Sequence, residues 1–319
     1  MTTRTRLYRD GKPVEEDFAL CDLADLLAEP GPVAWVDLCD PDDGDLARLG
    51  DMLGLHQLAL EDVRESRQRP KVDHYKSHLF LTVYSTRVGG DGELTTAELG
   101  LFVTGRTLVT VHDGFDMDAV LSRWDASDLA EDRVGVLLHG VLDAVVDGHL
   151  ESALALEEDL EELEDAVFEE RVGDRELQRD TVRLRRSLSG LRRVVQPMRE
   201  VMVALSRDRT LVDDDLRPYF ADIRDHVSHA AEMTDSLRDQ LTTVRETQLN
   251  IQSNRLNLIM KKVTGWAAVI AIPTAITGFY GQNVPYPGAE QPWGFWVSSI
   301  AIVVLSGGLY LMFKRRDWL

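Results

Sequence analysis

Apolar residues gather at the C-terminal end of this chain. From Val263 to Phe313 the only charged residue is Glu290, and a helix needs about 20 apolar residues to cross the hydrocarbon core of a bilayer. Two stretches of that length, Val263 to Tyr280 and Trp293 to Phe313, flank the segment Asn283 to Pro292, whose three prolines and one glycine end helices and make turns. The pattern predicts a transmembrane hairpin with a tight loop. Lys261 and Lys262 precede the first span and Lys314, Arg315 and Arg316 follow the second, while the loop has no base. Because loops retained in the cytoplasm collect Lys and Arg, both termini are expected on the cytoplasmic side of a cell membrane.

Ahead of the hairpin lies the longest uninterrupted helical signal. Tyr219 to Lys262 contains neither Gly nor Pro, and Val227, Ala230, Leu237, Leu241, Val244 and Ile251 follow a 3.5-residue repeat, with Thr234 and Gln248 filling two slots. That period favours association with other helices. Continued into the first span, where Gly265 and Pro273 are tolerable in a membrane setting, the helix would reach about 90 Å at 1.5 Å per residue.

From Met1 to about Gly148 the signals are mixed. Val33 to Asp37, Leu79 to Tyr84, Leu99 to Val103 and Thr107 to His112 read as strands, with a turn at Thr104-Gly-Arg106, and Pro41-Asp-Asp-Gly44 opens a helix through Leu46, Leu49, Met52 and Leu53. This order predicts a layered α/β domain. From about Val136 to Val203 the chain reads as mostly helical, with a dense acidic block between Glu157 and Asp165. The block is either a solvated helix face or a cation-collecting surface. If a turn at Val172-Gly173-Asp174 folds the two helices antiparallel, Arg183, Arg185, Arg186, Arg192 and Arg193 are placed to pair with those acids.

Charge narrows the function. The net charge of -20 argues against nucleic acid, whose backbone demands basic surface, and suits a protein that attracts cations. Cys21 and Cys39 are too few for a disulfide framework and lack zinc-ligand spacing, so they read as small core residues. Met1 to Asp10 has three arginines and no apolar run, so no cleavable signal peptide is expected. No phosphate loop, His-Glu-x-x-His or nucleophile elbow is present, and an enzyme is the least favoured class. His226 and His229, at i and i+3, offer two zinc ligands without a third nearby.

One stripe of the long helix carries the candidate chemistry. Asn257, Met260, Val263, Ala267, Ala271, Thr274, Gly278 and Gly281 are spaced by three and four residues, so they share a face that becomes small or polar toward its end. Such a stripe either lets membrane helices pack closely or, with copies arranged about an axis, lines a narrow pore gated by apolar rings at Met260 and Val263. Spacing alone leaves both open.

Here the chain resembles the CorA family of divalent-cation channels. That family carries Tyr-Gly-Met-Asn at the outer end of the first of two C-terminal spans, where this chain reads Tyr280-Gly281-Gln282-Asn283. Further matches are the tail Lys314-Arg-Arg-Asp-Trp-Leu319, Gln68-Arg-Pro-Lys-Val72, and Tyr219-Phe-Ala-Asp-Ile-Arg-Asp-His226. The resemblance implies a funnel-shaped homopentamer in the lipid bilayer. Its parts would be a cytosolic α/β domain (1–148), a helical hairpin (149–217), a stalk helix (218–262), a pore-lining span (263–281), an outer loop (282–292), a second span (293–313) and a basic tail (314–319). It further implies uptake of hydrated Mg2+ driven by the membrane potential, with Gly281, Gln282 and Asn283 as selectivity filter and Glu290 as an acid of the outer loop. Co2+, Ni2+ or Zn2+ are alternative cargoes, because Gln282 replaces the family's methionine and zinc-carrying relatives vary at this position. The family's regulatory Mg2+ would fall to Asp222 and Glu246 with Asp91 or Asp225, although the family's partner in the first domain has no clear counterpart in Val88-Gly89-Gly90-Asp91. Two other functions remain open: a broad divalent-cation transporter with proton coupling, and a membrane-anchored structural or signalling protein.

Overall fold

The structure, a computed structural model of the single chain, is described for residues 2–65, 68–126, 133–168, 174–282, 288, 291–316 and 318. The chain divides into two compact units, 1–242 and 243–319.

The first unit is built on a seven-stranded sheet. Its strands are β1 (Thr2–Arg9), β2 (Lys12–Glu16), β3 (Val33–Cys39), β4 (Lys71–His74), β5 (Leu79–Val88), β6 (Leu94–Val103) and β7 (Thr107–His112). They lie in the order β2-β1-β3-β7-β6-β5-β4. Only β3 and β7 pair in parallel, with Ala34 opposite Thr107. Both are buried almost throughout, as central strands covered on two faces must be. The four strands expected from the apolar runs are β3, β5, β6 and β7. The outer strands β1, β2 and β4 are polar along much of their length and gave no such signal.

Alternation along β3 assigns its side chains to two layers. Ala34, Val36 and Leu38 join Leu23, Leu46, Leu49, Ala59 and Leu60 in one core, supplied by α1 (Leu23–Leu26), α2 (Asp43–Leu53) and α3 (Gln57–Arg64). α2 starts where the sequence suggested. Asp42 caps it by accepting from the Asp45 amide at 2.9 Å, and Asp45 accepts in return from the Asp42 amide at 3.3 Å. On the other face Trp35 meets Trp124 edge-on at 5.3 Å and donates to Thr110 Oγ1 at 3.1 Å. Thr110 in turn donates to Asp37, which also faces His112 Nε2 at 3.2 Å.

That second face is covered by α4 (Met117–Ala126), α5 (Val134–Phe168) and α6 (Asp174–Leu205). α5 lies along β5: Thr86 Oγ1 donates to the Gly148 carbonyl at 3.0 Å, and His149 Nε2 meets the Tyr84 carbonyl at 2.8 Å. The carbonyl can only accept, so Nε2 holds the proton, and the buried Nδ1 has no partner. Burial accordingly lowers the His149 pKa to about 4.

The expected pairing of α5 acids with α6 arginines forms in one place and not as an ion pair: Asp159 Oδ2 and Arg183 Nε both sit beside Gly92, and Arg183 offsets part of the upward push that burial gives the Asp159 carboxyl. Arg183 bridges Asp180 at 3.2 Å on its own helix, and Arg192 reaches Asp235 at 2.7 Å. Leu156, Leu160, Leu163 and Val167 of α5, and Leu177, Leu184, Leu188 and Leu191 of α6, are buried. With the apolar stripes turned inward, the outer charged faces turn apart. The turn proposed at Val172 and Gly173 lies outside the described residues.

The last long helix, α7 (Arg217–Tyr280), contributes its first 26 residues, up to Thr242, to this unit. There the 3.5-residue repeat is satisfied inside the chain: Val227, Ala230, Thr234, Leu237 and Leu241 are buried. The His139 ring meets Phe220 at 5.8 Å. The second unit holds the rest of α7 and α8 (Pro292–Arg315), and both helices are long and apolar enough to cross a membrane.

Candidate functional site

In the second unit the side chains of α7 separate into two stripes. Ala268, Val269, Ile272, Pro273, Ile276 and Tyr280 are half-buried, and Gly265 is buried. They recur at helical spacing, and α8 is the only other helix of this unit among the described residues. At 3.6 residues per turn their stripe lies opposite the one carrying Asn257, Met260, Val263, Ala267, Ala271, Thr274, Gly278 and Gly281. All eight of those residues are exposed. A side chain on Gly278 would touch nothing within 4 Å, so packing within the chain does not explain its small size.

The stripe's polar atoms are oriented by the helix itself. Thr274 Oγ1 donates to the Ile270 carbonyl at 3.0 Å, which uses the hydroxyl's one proton and leaves its oxygen an acceptor toward the exposed side. Thr277 Oγ1 donates to the Pro273 carbonyl at 2.8 Å. The last turn closes with Gly281 N donating to the Thr277 carbonyl at 2.9 Å and Gln282 N to the Phe279 carbonyl at 3.3 Å. A Cβ on Gly281 would sit 3.1 Å from the Thr277 carbonyl oxygen, so glycine keeps that carbonyl uncrowded. Gly281 and Gln282 are exposed, whereas Asn283 and Glu290 lie outside the described residues. Of the eight residues in the stripe, Asn257 and Thr274 carry neutral side-chain oxygens, Met260 and Val263 are apolar, and the other four are alanine or glycine.

Near its other end, Asn257 and Met260 border a cavity of about 590 Å³ with Asn254, Lys261, Thr264 and Trp318. Trp318 stacks on Phe313 at 5.4 Å and 2°, and its amide donates to the Phe313 carbonyl at 3.0 Å. This fold-back of the tail onto α7 was not foreseen. Its only trace in the sequence is an aromatic residue beyond the basic run.

The proposed regulatory acids are not brought together within one chain. Asp222 lies 3.9 Å from His226 Nε2, and Asp225 lies 3.4 Å from Arg224. Asp91 accepts from the Glu93 amide at 3.1 Å, closing the β5–β6 turn. Glu246 is exposed, many turns from Asp222 along α7. Among the described residues no group of three or more His, Cys, Asp or Glu is placed to hold a metal ion, and this applies to His226 and His229 as well.

Comparison with known proteins agrees with this architecture. A family profile described as CorA-like Mg2+ transporter protein matches residues 31–315. The cobalt/magnesium transport protein CorA of Thermotoga maritima is 29% identical over 279 residues, 85% of this chain and 79% of that protein. CorA of Methanocaldococcus jannaschii is 27% identical over 327 residues, covering all of both chains. The complete structure of that transporter superposes with a TM-score of 0.83 at 24% identity, over 100% of this chain and 99% of the other. A zinc transport protein, ZntB of Pectobacterium atrosepticum, is 24% identical over 79% of this chain and 77% of its own length.

Proposed function

Because the chain belongs to the CorA-like Mg2+ transporter family, we propose that it forms a homopentameric membrane channel for hydrated divalent cations, Mg2+ foremost. The observation that carries this reading is the exposed stripe on α7, opposite the half-buried one and ending at Gly281. Copies of α7 placed around an axis convert the stripe into a passage. Asn283 then supplies one neutral side-chain oxygen per copy at the outer mouth, beside Gln282 and Gly281. Mg2+ gives up its waters reluctantly, and neutral oxygens can hydrogen-bond the water shell without stripping it. Thr274 and Asn257 repeat that contact deeper, and Gly278 leaves room for the hydrated ion. Apolar rings at Val263 and Met260 form the gate. Both termini lie in the cytoplasm, and the potential drives entry with about 2.3 kcal/mol per charge per 100 mV, doubled for a divalent ion.

Regulation is proposed to act between copies. Asp222 and Glu246, with Asp91 or Asp225, hold Mg2+ between neighbours, and loss of the ion leaves repelling acids that loosen the ring. A second reading, transport of Zn2+, Co2+ or Ni2+ with proton coupling, is favoured by one observation: Gln282 puts a second amide beside Asn283.

Purified protein in liposomes tests both. Mg2+ uptake that follows the potential and is lost in Asn283→Ala supports the first reading. Zn2+ uptake that requires a pH gradient, reverting toward Mg2+ in Gln282→Met, supports the second. Uptake unchanged in Asn283→Ala would reject the filter and leave the spans as anchors.

A further inference from the structure

A groove of about 890 Å³ runs between the start of β6 and α6, within the range of roughly 300–1,000 Å³ typical of sites that hold small molecules. Arg175, Arg179, Arg183, Arg186 and Arg193 line it, against two acids, Glu93 and Asp180, in a chain whose net charge is -20. Arg183 is already engaged, bridging Asp180 at 3.2 Å. The other four arginines are exposed, and among the described residues none has a side-chain hydrogen bond or an ion pair. Steps of four, seven and seven stack them on one face of α6. Like charges at such spacing weaken a helix, so the stability of the chain does not account for them.

The opposite wall of the groove is held in place by contacts from three elements. Ser187 Oγ of α6 donates to the Gly92 carbonyl at 3.0 Å and accepts from the Leu94 amide at 3.2 Å, which seats the β5–β6 turn against α6. Gly92 has a φ of +73°, and a Cβ there would come within 2.8 Å of Asp159 Oδ2 on α5 and 2.9 Å of Arg183 Nε. Glycine therefore lets the turn close over both side chains, and Arg183 is fixed in the middle of the arginine row.

We propose that this groove binds a chain of two or three phosphates, whether inorganic or carried by a nucleoside triphosphate. Guanidinium forks meet phosphate oxygens through paired hydrogen bonds. Arg179 and Arg186 stand seven residues apart, about 10 Å along the helix axis at 1.5 Å per residue, a separation that a phosphate chain bridges better than a single phosphate. Thr96, on the β6 side, adds a hydroxyl. Among the described residues no aromatic side chain lines the groove, so the bases of a nucleic acid strand would have nothing to stack on. The net charge of -20 also repels a long polyanion while leaving a small one free to enter a local basic groove. The groove lies wholly in the first unit, so the proposal stands whether or not the chain carries ions.

The test is isothermal titration calorimetry on the full chain in detergent at about 0.15 M salt, with Mg2+ removed by EDTA so that chelation is not read as binding. Pyrophosphate and tripolyphosphate should each bind at one site per chain, at least tenfold more tightly than orthophosphate. Arg179→Gln/Arg186→Gln should weaken tripolyphosphate at least tenfold. Arg199→Gln/Arg209→Gln, which removes two exposed arginines outside the groove, should leave the affinity unchanged. ATP that binds as tightly as tripolyphosphate shows that only the phosphate chain is read, and ATP at least tenfold tighter makes a nucleoside triphosphate the ligand; either result upholds the site. The proposal is overturned by no binding of any of these anions, by orthophosphate binding as tightly as tripolyphosphate, or by an equal loss in the two double variants, which would reduce the effect to general charge attraction.

Discussion

The two ends of α7 follow the same helical arithmetic toward opposite results. Between Val227 and Leu241 the residues at steps of three and four are buried within their own chain. Between Asn257 and Gly281 the residues at the same steps are all exposed, and the half-buried side is the other one. A completed face contributes to the stability of a single chain. An uncompleted face, which from Ala267 onward is alanine, threonine and glycine, contributes almost nothing to it, so its composition has to be explained by what lies outside the chain.

Substitutions can break this contrast, and the largest effect belongs to the completed end. Leu237→Ala removes a side chain that is 1% exposed and should cost about 3 kcal/mol of stability by creating a cavity, measured by denaturant unfolding, with ion preference unchanged in the protein that folds. Acid should act on the same unit to a similar extent. His149 is held neutral with a pKa of about 4, below the value of about 6.5 in an unfolded chain. Its contribution is therefore complete above about pH 6.5 and is lost as pH falls toward 4, amounting to about 3 kcal/mol. His149→Gln can still donate to the Tyr84 carbonyl without titrating, so its stability should fall less than that of wild type across that window, the remaining slope including His78 and His139, whose pKa values burial also lowers; a curve parallel to wild type would remove His149 as the cause.

At the uncompleted end the effect should move from stability to flux. Gly278→Leu meets nothing within 4 Å in its own chain and should change the melting temperature little. Placed in a passage it should lower Mg2+ uptake about a hundredfold, equivalent to about 2.7 kcal/mol. Normal uptake in this variant would put the stripe against lipid.

How much of this was legible follows from where each signal comes from. β3 and β7 were readable because central strands are apolar on both faces, and both spans because membrane helices are apolar all round. β1, β2 and β4 were not: β2 is exposed at every residue, the edge strands β2 and β4 are polar, and β1, paired between β2 and β3, carries polar residues over most of its length, so all three are specified by their neighbours rather than by an apolar run. The stripe on α7 was legible as a face but not as a function, since spacing cannot say which face is covered. The structure shows that the half-buried face is the opposite one. The sequence puts the arginines of α6 within reach of the acids of α5 only if the helices fold antiparallel, and it does not show that buried leucines turn the outer charged faces apart while leaving Arg183 beside Asp159. The fold-back of Trp318 depends on one stacking contact and one backbone hydrogen bond to Phe313 and had no periodic signal.

The smallest predicted effect isolates the contrast in a single atom type. Thr234 and Thr274 do the same thing locally: each hydroxyl donates to the carbonyl four residues earlier, at 2.6 and 3.0 Å. Thr234 is fully buried and Thr274 is exposed. Valine matches threonine in size, so the exchange removes an oxygen without changing the space. At Thr234 the carbonyl keeps its helical partner and a methyl replaces a hydroxyl in an apolar slot, so stability should change by no more than about 1 kcal/mol, in the favourable direction, with uptake unaffected. At Thr274 stability should stay within about 0.5 kcal/mol, because an exposed hydroxyl bonded to its own helix contributes little. The loss there is one neutral oxygen facing the proposed passage, worth about 0.5–1.5 kcal/mol as a hydrogen bond to the ion's water, so Mg2+ uptake should fall about two- to tenfold. Equal transport in the two variants would mean that the ends of α7 differ in burial alone.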